Sequence, residues 1–436
     1  MRARAVSSKR SALYRLLAFT ALAVTLCAAL VVGSAERWST TSNLNDQEVD
    51  AAFFSGLNPD DIPAVPEPTR LRPCCIFGND IGARVGSIPV PGYEIRYVLE
   101  LDSLGTHRFN KGAMAVQAGM EKGILADEAS GIVYTCRGGF IDIAHVRDNA
   151  DRTLYLAAQI ARIAATGGTI PITGEGARRR IVVKPLDRQL VRTYGLREVV
   201  TSLAEWFDHQ AGIWHEITTW YGWSSTPFPE RPSAFSPEDI YSNLLGAKIA
   251  GAVIRAHSPA REFAYDHAVT ALLQDALTKL GPLPPAGTRR AFQYVDGIWW
   301  DSAKRVPDNL LVRHRSFEIG PELTPWKIGD AWTFSTLPAA RKEMDQYCYG
   351  DWTPLRLSVP DRLGSVPFRQ LATLEIEPEG VLIKNGFPFP RSGSVLITQD
   401  DFPYVIAAIE RAADAELGPG AGLPAARPGE RSRYHQ

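Results

Sequence analysis

The clearest pattern along the chain is the helical spacing of apolar residues in its centre. Between Leu196 and Tyr221 apolar residues recur every three or four positions, which predicts one long helix. The members of this stripe are Leu203, Trp206, Phe207, Ile213, Trp214, Ile217, Trp220 and Tyr221. Similar patterns predict three further helices, over about 140–165, 236–256 and 258–280. We therefore expect residues 140–280 to form a helical centre.

Capping residues explain where one of these helices begins. Residues 236–239 are Ser-Pro-Glu-Asp, which places serine at the N-cap, proline at the first helical position and aspartate at the third. On this interpretation Glu238 and Asp239 are capping residues.

Shorter segments outside the helical centre have the pattern of strands. Residues 131–136 predict a short buried strand, and residues 169–185 predict a hairpin around the turn 174–176. Two more short strands are expected at 374–376 and 381–384, and a last helix at 401–416. The sequence therefore predicts an α+β fold with a helical core of about four helices and small antiparallel β elements.

The amino terminus has the layout of an export signal. Basic residues up to Arg15 precede an almost unbroken apolar run over 16–32, and the small residues 33–35 offer a cleavage site. Because the run approaches the ~20 residues that span a bilayer, an uncleaved membrane anchor is the alternative. Either way the bulk of the chain is expected outside the cytoplasm, periplasmic or anchored to the inner membrane facing outward. The predicted divisions are a signal peptide or anchor over 1–35, an extended linker over 36–70, a single globular domain over 71–416 and a disordered tail over 417–436.

Composition and charge narrow the class of protein. The 436 residues are 45% hydrophobic and 22% charged, with 47 Lys and Arg against 48 Asp and Glu. This balance excludes a disordered polyelectrolyte and a strongly basic nucleic-acid binder, so nucleic acid is not expected as a partner. Because residues 1–35 hold five basic residues and no acid, removing them takes the formal net charge from −1 to −6.

Histidines and carboxylates in the helical centre are candidates for a metal site. Asp142 and His145 are three residues apart on one predicted helix, and His215 and Glu216 lie on the next. Facing helices form metal sites when each donates a carboxylate or an imidazole, and these ligands suit zinc or iron. We therefore predict these four residues as ligands of a divalent metal that activates water, with Glu216 also a candidate general base. The alternative is that they are helix-terminal charges and solvated faces.

Cys136 is the second candidate for chemistry. It follows a predicted strand and precedes a helix, where the positive end of the helix stabilises a thiolate, and His107 is a candidate base. The alternative is a disulfide with Cys74, Cys75 or Cys348, which export favours.

Aromatic residues suggest a third function of a different class, a non-catalytic envelope protein with an aromatic binding cleft. The residues concerned are Trp206, Trp214, Trp220, Tyr221, Trp223, Trp299 and Trp300. At helical spacing, core packing explains such residues better than a cleft does.

Four further stretches are distinctive, and they are residues 71–78, 134–148, 214–222 and 233–246. They resemble an uncharacterised bacterial envelope family, the domain of unknown function 4056, and the resemblance spans roughly residues 70–410. It implies a bacterial, exported protein and brings no established reaction or catalytic residues.

The first functional hypothesis is thus a metal-dependent hydrolase of the cell envelope. Its partner would be an envelope glycan, lipid or protein, and it would touch the membrane through the N-terminal segment if that segment stays uncleaved. A hydrolase with Cys136 as nucleophile and a non-catalytic binding protein are the alternatives.

Overall fold

The structure is a computed structural model of the chain. The residues that it describes are 62–72, 76–111, 116–117, 128–222, 230–256, 262–328, 338–349, 353–359, 361–390 and 394–418. The predicted export segment, linker residues 36–61 and tail residues 419–436 lie outside them, as do Cys74, Cys75 and Trp223. No helix among the described residues combines the length and the apolar character that crossing a membrane requires.

Ten α-helices lie within the described residues. In chain order they are α1 (Ile143–Ile163), α2 (Arg188–Tyr194), α3 (Leu196–Tyr221), α4 (Asp239–Ala256), α5 (Glu262–Leu280), α6 (Pro285–Val295), α7 (Pro338–Cys348), α8 (Phe368–Leu371), α9 (Val381–Lys384) and α10 (Phe402–Leu417).

Fourteen short strands accompany these helices in the same part of the chain. They are β1 (Ile81–Val85), β2 (Ile88–Ile95), β3 (Val116–Gln117), β4 (Ala129–Ser130), β5 (Ile132–Thr135), β6 (Gly139–Asp142), β7 (Gly168–Ile172), β8 (Ala177–Val183), β9 (Glu322–Leu323), β10 (Leu357–Ser358), β11 (Arg362–Leu363), β12 (Val366–Pro367), β13 (Ala372–Pro378) and β14 (Ile397–Thr398). One antiparallel sheet has four strands in the order β14-β13-β8-β7, and the other described sheets are two-stranded. Apart from the parallel pair β3–β4, the strands pair antiparallel, so the predicted α+β class is confirmed.

The helical core is built on α1, α3 and α4, which pack against one another. Each of them buries side chains around most of its circumference, as expected for a helix that contacts neighbours on several sides. Gly246 permits the close approach of α4 to α1, because a Cβ atom there would lie 2.1 Å from the carbonyl oxygen of Val146. This contact sets the spacing of the two helices at the end where the predicted site residues lie.

A tight hairpin leads directly into α1. The predicted helix begins at Ile143 rather than at residue 140, because β6 pairs with β5 up to Asp142. Gly139 turns the chain with φ of +66°, and a Cβ atom there would lie 1.9 Å from the carbonyl oxygen of Trp326. Only glycine fits this turn. The hairpin therefore fixes the position of Asp142 and of the first turn of α1.

Most of the remaining predicted elements are confirmed, and one is wrong. The helix Leu196–Tyr221, the hairpin β7–β8 and the final helix form as expected, and β13 contains the predicted strand 374–376. Residues Val381–Lys384 form the short helix α9 instead of a strand. A four-residue apolar run suits either structure, and here the helical turn buries Leu382 against Gly176.

The tryptophans of the predicted aromatic cleft are core residues. Trp206, Trp214 and Trp220 of α3 are at most 8% exposed. Trp299 and Trp300 lie in a second apolar cluster that also contains β5, β6 and α6 residues. Their burial agrees with the core-packing interpretation of these side chains.

Candidate metal centre

The structure brings the four predicted ligands together at one end of the helical core. Asp142 and His145 lie at the start of α1, and His215 and Glu216 lie near the end of α3. Asp142 is the N-cap of α1, and its Oδ1 accepts a hydrogen bond from the backbone nitrogen of Ala144 at 2.7 Å. This position suits an aspartate because its carboxylate satisfies an N–H group that has no partner within the helix.

Each imidazole of the centre is held through Nδ1 by an oxygen acceptor. The ring centroids of His145 and His215 lie 5.6 Å apart. Nδ1 of His145 lies 2.8 Å from Oδ1 of Asn243, and Nδ1 of His215 lies 2.9 Å from Oε1 of Glu175. Since both partners are oxygen acceptors, Nδ1 carries the proton, and a neutral ring then has its lone pair on Nε2. Metal-binding histidines are usually oriented in this way.

The surroundings of His215 favour positive charge. Burial alone would lower the pKa of the imidazole, but the hydrogen bond and the charge of Glu175, with the charge of Glu216, raise it to about 9. Glu175 responds in the opposite sense: burial opposes its ionisation, yet Arg179 and His215 lower its pKa to about 2. A proton or a metal cation at His215 is therefore stabilised by the same neighbours.

Two groups of potential metal ligands meet at His145. In the first group, one ligand atom each from His145, His215 and Glu216 lie within 4.8 Å of one another. The second group, within the same limit, comprises Asp142, His145 and Asp239. The four predicted ligands are thus divided between two overlapping groups that share His145.

Asp239 is a site residue that the capping interpretation did not assign to the centre. It does cap α4, since its Oδ2 accepts a hydrogen bond from the backbone nitrogen of Ser236 at 2.8 Å. Its Oδ1 lies 3.5 Å from Nε2 of His145, and its carboxyl group shares a hydrogen bond with Glu216. Burial and the charges of Glu216 and Glu238 raise the pKa of Asp239 well above its usual value. The sequence signal was present: Asp239 and Asn243 are one helical turn apart, so both can face His145.

Glu238 is the second residue whose role capping does not explain. Its side chain is 1% exposed, and neither carboxylate oxygen has a hydrogen-bond partner among the described residues. Burial and the charge of Asp142 raise its pKa well above the usual value. A buried carboxyl group without a hydrogen bond is costly, so its retention here calls for a functional explanation.

Glu216 is held by a residue in an unusual backbone conformation. Its Oε2 accepts a hydrogen bond from the backbone nitrogen of Phe235 at 2.7 Å, and its side chain shares a further hydrogen bond with Asp239. Phe235 has φ of +53°, a strained value for a residue with a side chain. This conformation turns a backbone N–H toward Glu216. We find no sequence pattern that predicts the contribution of Phe235.

A small cleft gives access to the histidines. The residues that line it are Leu71, Arg72, Ala144, His145, Asp148, Asn149, Arg152, Gly212, His215 and Asn243. His145 is 6% exposed and lies between the cleft and the buried carboxylates. A small substrate group or a water molecule in the cleft therefore reaches the imidazoles before the acids.

An ion-pair network holds the rim of this cleft. The guanidinium of Arg72 bonds to Glu128 at 2.7 Å, to Asp148 at 2.6 Å and to Asp151 at 3.1 Å. Arg72 is 2% exposed, and these three carboxylates raise its pKa although burial opposes this. A buried arginine that lost these partners would be strongly destabilising, so the network keeps residues 71–72 against α1.

The structure does not bring the alternative nucleophile and its base together. Cys136 forms a disulfide with Cys348, one of the partners considered for it, and a disulfide-bonded sulfur has no thiolate. Nε2 of His107 pairs with Oδ1 of Asp151 at 2.8 Å instead, and this buried pair joins the Arg72 network. Attack by Cys136 would require the disulfide to be reduced and His107 to leave Asp151.

Comparison with known proteins places this centre within one family. No curated protein and no solved structure gives a significant match to the chain. A family model described as "Protein of unknown function (DUF4056)" matches residues 62–329, which include His145, His215, Glu216, Glu238 and Asp239. Because the match covers more than half of the chain, the protein belongs to this family of unknown function.

Proposed function

We propose that this protein is a metal-dependent hydrolase in which His145, His215 and Glu216 hold a divalent metal, zinc or iron. The observation that carries the proposal is that both imidazoles are anchored through Nδ1. One ligand atom from each of them lies within 4.8 Å of the buried carboxylate of Glu216. Two histidines and one carboxylate are typical of catalytic metal sites, because three protein ligands leave positions for water and substrate.

The chemistry divides between the metal and the buried acids. A metal held by His145, His215 and Glu216 would polarise the substrate and lower the pKa of a water molecule. In hydrolysis the water oxygen bonds to the electrophilic atom of the substrate, the bond to the leaving group breaks, and one water proton passes through a general base to the leaving group. We assign the base to Glu238, since both of its oxygens lack hydrogen-bond partners among the described residues while Glu216 serves as ligand.

The cellular setting of the proposal rests on the sequence. The basic residues, apolar run and small residues of positions 1–35 support export, and the proposed substrate is therefore a glycan, lipid or protein of the cell envelope. Only a small group of such a substrate can enter the cleft.

Metal analysis of the purified full chain tests the proposal. We expect at least one equivalent of zinc or iron by atomic emission, and loss of that metal in His145→Ala and His215→Ala. His267→Ala, which removes an exposed histidine of α5, is the matched control and retains the metal. Absence of metal from the wild type, together with unchanged thermal stability in chelator, would overturn the proposal.

The assigned base has a separate readout. Glu238→Gln keeps the size of the side chain and is expected to retain the metal while hydrolysis of p-nitrophenyl ester or phosphate probes falls by about 10²–10⁴-fold. Unchanged hydrolysis in this variant would remove Glu238 as the base without affecting the metal ligands.

A further inference from the structure

Arg152 brings a positive charge to the cleft beside the two histidines. It lines the cleft together with His145 and His215, and its side chain is 13% exposed. Burial opposes the charge of the guanidinium, yet the neighbouring carboxylates of Asp208 and Glu175 keep the pKa of Arg152 above its usual value. Arg152 is therefore a cation that a group in the cleft can reach.

Part of this guanidinium is left for a ligand. Nε of Arg152 donates to Oδ1 of Asp208 at 2.6 Å, and Nη2 donates to the backbone oxygen of Asp208 at 3.3 Å and to Oδ1 of Asn149. A guanidinium has five N–H donors, and the described residues supply no acceptor for the two on Nη1. Asp208 is fully buried and does not line the cleft, and burial raises its pKa to about 7. It holds Arg152 from the inner side and compensates its charge only in part near neutral pH.

Hydrogen bonds fix Arg152 relative to His145. His145, Asn149 and Arg152 are spaced by four and three residues on α1, so they follow one another along one face of the helix. Nδ2 of Asn149 donates to the backbone oxygen of His145 at 2.7 Å and to Oδ1 of Asn243 at 2.6 Å, while its Oδ1 accepts from Arg152. Since Oδ1 of Asn243 also holds the ring of His145, one chain of hydrogen bonds connects the guanidinium with the imidazole.

The other charged groups around the cleft are already paired. Asp148 lines the cleft, but both of its oxygens accept hydrogen bonds from Arg72. Glu175 lies outside the lining and is bonded to Arg179 and to His215. Among the residues that line the cleft, an anion therefore faces no carboxylate without a cationic partner.

We propose that Arg152 binds an anionic group of the substrate, a carboxylate or a phosphate, and thereby selects substrates that carry this group close to the hydrolysed bond. This inference rests on the proposed function and specifies its substrate class. Arginine suits the oxygens of carboxylates and phosphates, and hydrogen bonds between charged groups are stronger than neutral ones. Because the cleft is small, the anionic group and the reacting bond belong to one short segment of the substrate.

Selectivity between two matched esters tests the inference in the full chain. The p-nitrophenyl monoester of adipic acid and p-nitrophenyl hexanoate have acyl chains of equal length, and a carboxylate replaces the terminal methyl group in the first. We expect kcat/KM of the wild type to be about 10–100-fold higher for the adipate ester.

A double variant, Arg152→Gln with Asp208→Asn, is expected to abolish this preference. It removes the cation of the cleft without leaving a buried carboxylate unpaired, so it separates the loss of anion binding from the cost of a broken ion pair. Arg162→Gln, which replaces an exposed arginine of the same helix outside the cleft lining, is the matched control and keeps the preference.

Binding of an anion by itself requires neither metal nor hydrolysis. Isothermal titration of the chelator-treated full chain with adipate, and separately with inorganic phosphate, is expected to give one equivalent for at least one of the two. The affinity should fall about 10–100-fold in the double variant. The anion that binds identifies the group that the substrate carries.

The results separate this inference from the proposed function. A metal-loaded wild type that hydrolyses both esters equally well overturns the role of Arg152, whether or not the double variant folds, and leaves the proposed function standing. A folded double variant that keeps the preference does the same. If the protein holds no metal and hydrolyses neither ester, the proposed function fails, and the titrations alone decide the inference: equal binding by wild type and double variant, or no binding of either anion, overturns it.

Discussion

The two histidines of the centre are oriented by chemically different acceptors. Asn243 is neutral, and its Oδ1 also accepts a hydrogen bond from Nδ2 of Asn149 at 2.6 Å. Glu175 is ionised, and its charge raises the pKa of His215 to about 9. The orientation of His215 is therefore fixed by a charged acceptor, whereas that of His145 depends on the precise placement of one amide.

Asn243→Ala should weaken metal binding without removing a ligand. The substitution takes away the acceptor for Nδ1 of His145, so the ring loses its fixed orientation, and we expect a loss of metal affinity of about 10–100-fold. Competition with a chromophoric chelator measures this affinity. Asn243→Asp keeps an oxygen at the same position and should recover most of it. Equal affinities for wild type and Asn243→Ala would show that the Asn243 contact does not serve the metal.

At the scale of elements, the centre exists because three chain segments end or begin at the same place. The β5–β6 hairpin leads into α1, α3 passes the start of α1, and the strained residue Phe235 precedes α4. The register of α1 against α4 is the most sensitive part of this arrangement. Gly246 lies against the backbone of Val146, one residue after His145, so a change in helix spacing there moves the imidazole relative to Asn243.

Gly246→Ala tests this close helix contact. The added methyl group would meet a backbone carbonyl at 2.1 Å and cannot be accommodated by a rotamer change, so we expect unfolding free energy to fall by about 1–3 kcal/mol despite the better helix propensity of alanine. Gly287→Ala in α6 is the control, since its methyl group would meet only the Leu283 side chain, at 3.0 Å. Denaturant titration gives both values. Similar stabilities for the two variants would show that α1 and α4 can move apart without cost.

At the scale of the whole molecule, long-range ties attach the outer segments to the helical core. The disulfide connects Cys136 with Cys348, 212 residues apart in sequence. Arg72 joins the N-terminal side of the domain to Glu128 and to α1. Neither tie includes a residue of the two ligand groups.

A double variant, Cys136→Ala with Cys348→Ala, separates stability from chemistry. Without the disulfide the unfolded chain gains conformational freedom, so the unfolding free energy is expected to fall by about 2–5 kcal/mol. Metal content and hydrolysis should be retained, because neither sulfur contacts the proposed ligands. Thermal unfolding, atomic emission and probe hydrolysis provide the measurements, and thiol titration of the denatured, unreduced wild type should find both cysteines protected. Loss of hydrolysis in a folded, metal-loaded double variant would restore the cysteine-nucleophile alternative.

Much of the secondary structure could be predicted from local patterns in the sequence. The helix Leu196–Tyr221 follows from the periodicity of its apolar residues, and the β7–β8 hairpin follows from its turn residues. Both signals lie within one short segment of sequence. The four-residue segment Val381–Lys384 was mispredicted because so short a run carries no distinguishing period. The predicted ligands were found by residue type and helical spacing, and these signals do not report which helices face each other.

By itself, the sequence determined the α+β class, the main helices, and the four residues His145, His215, Asp142 and Glu216 as candidates for metal binding. Only the tertiary structure decided how they divide into two groups, that Asp239 joins one of these groups, and which cysteine pairs with Cys136. The reason is the separation along the chain. His145 contacts Asn243, which is 98 residues away in sequence. This contact depends on the packing of α1 against α4, which no local pattern encodes.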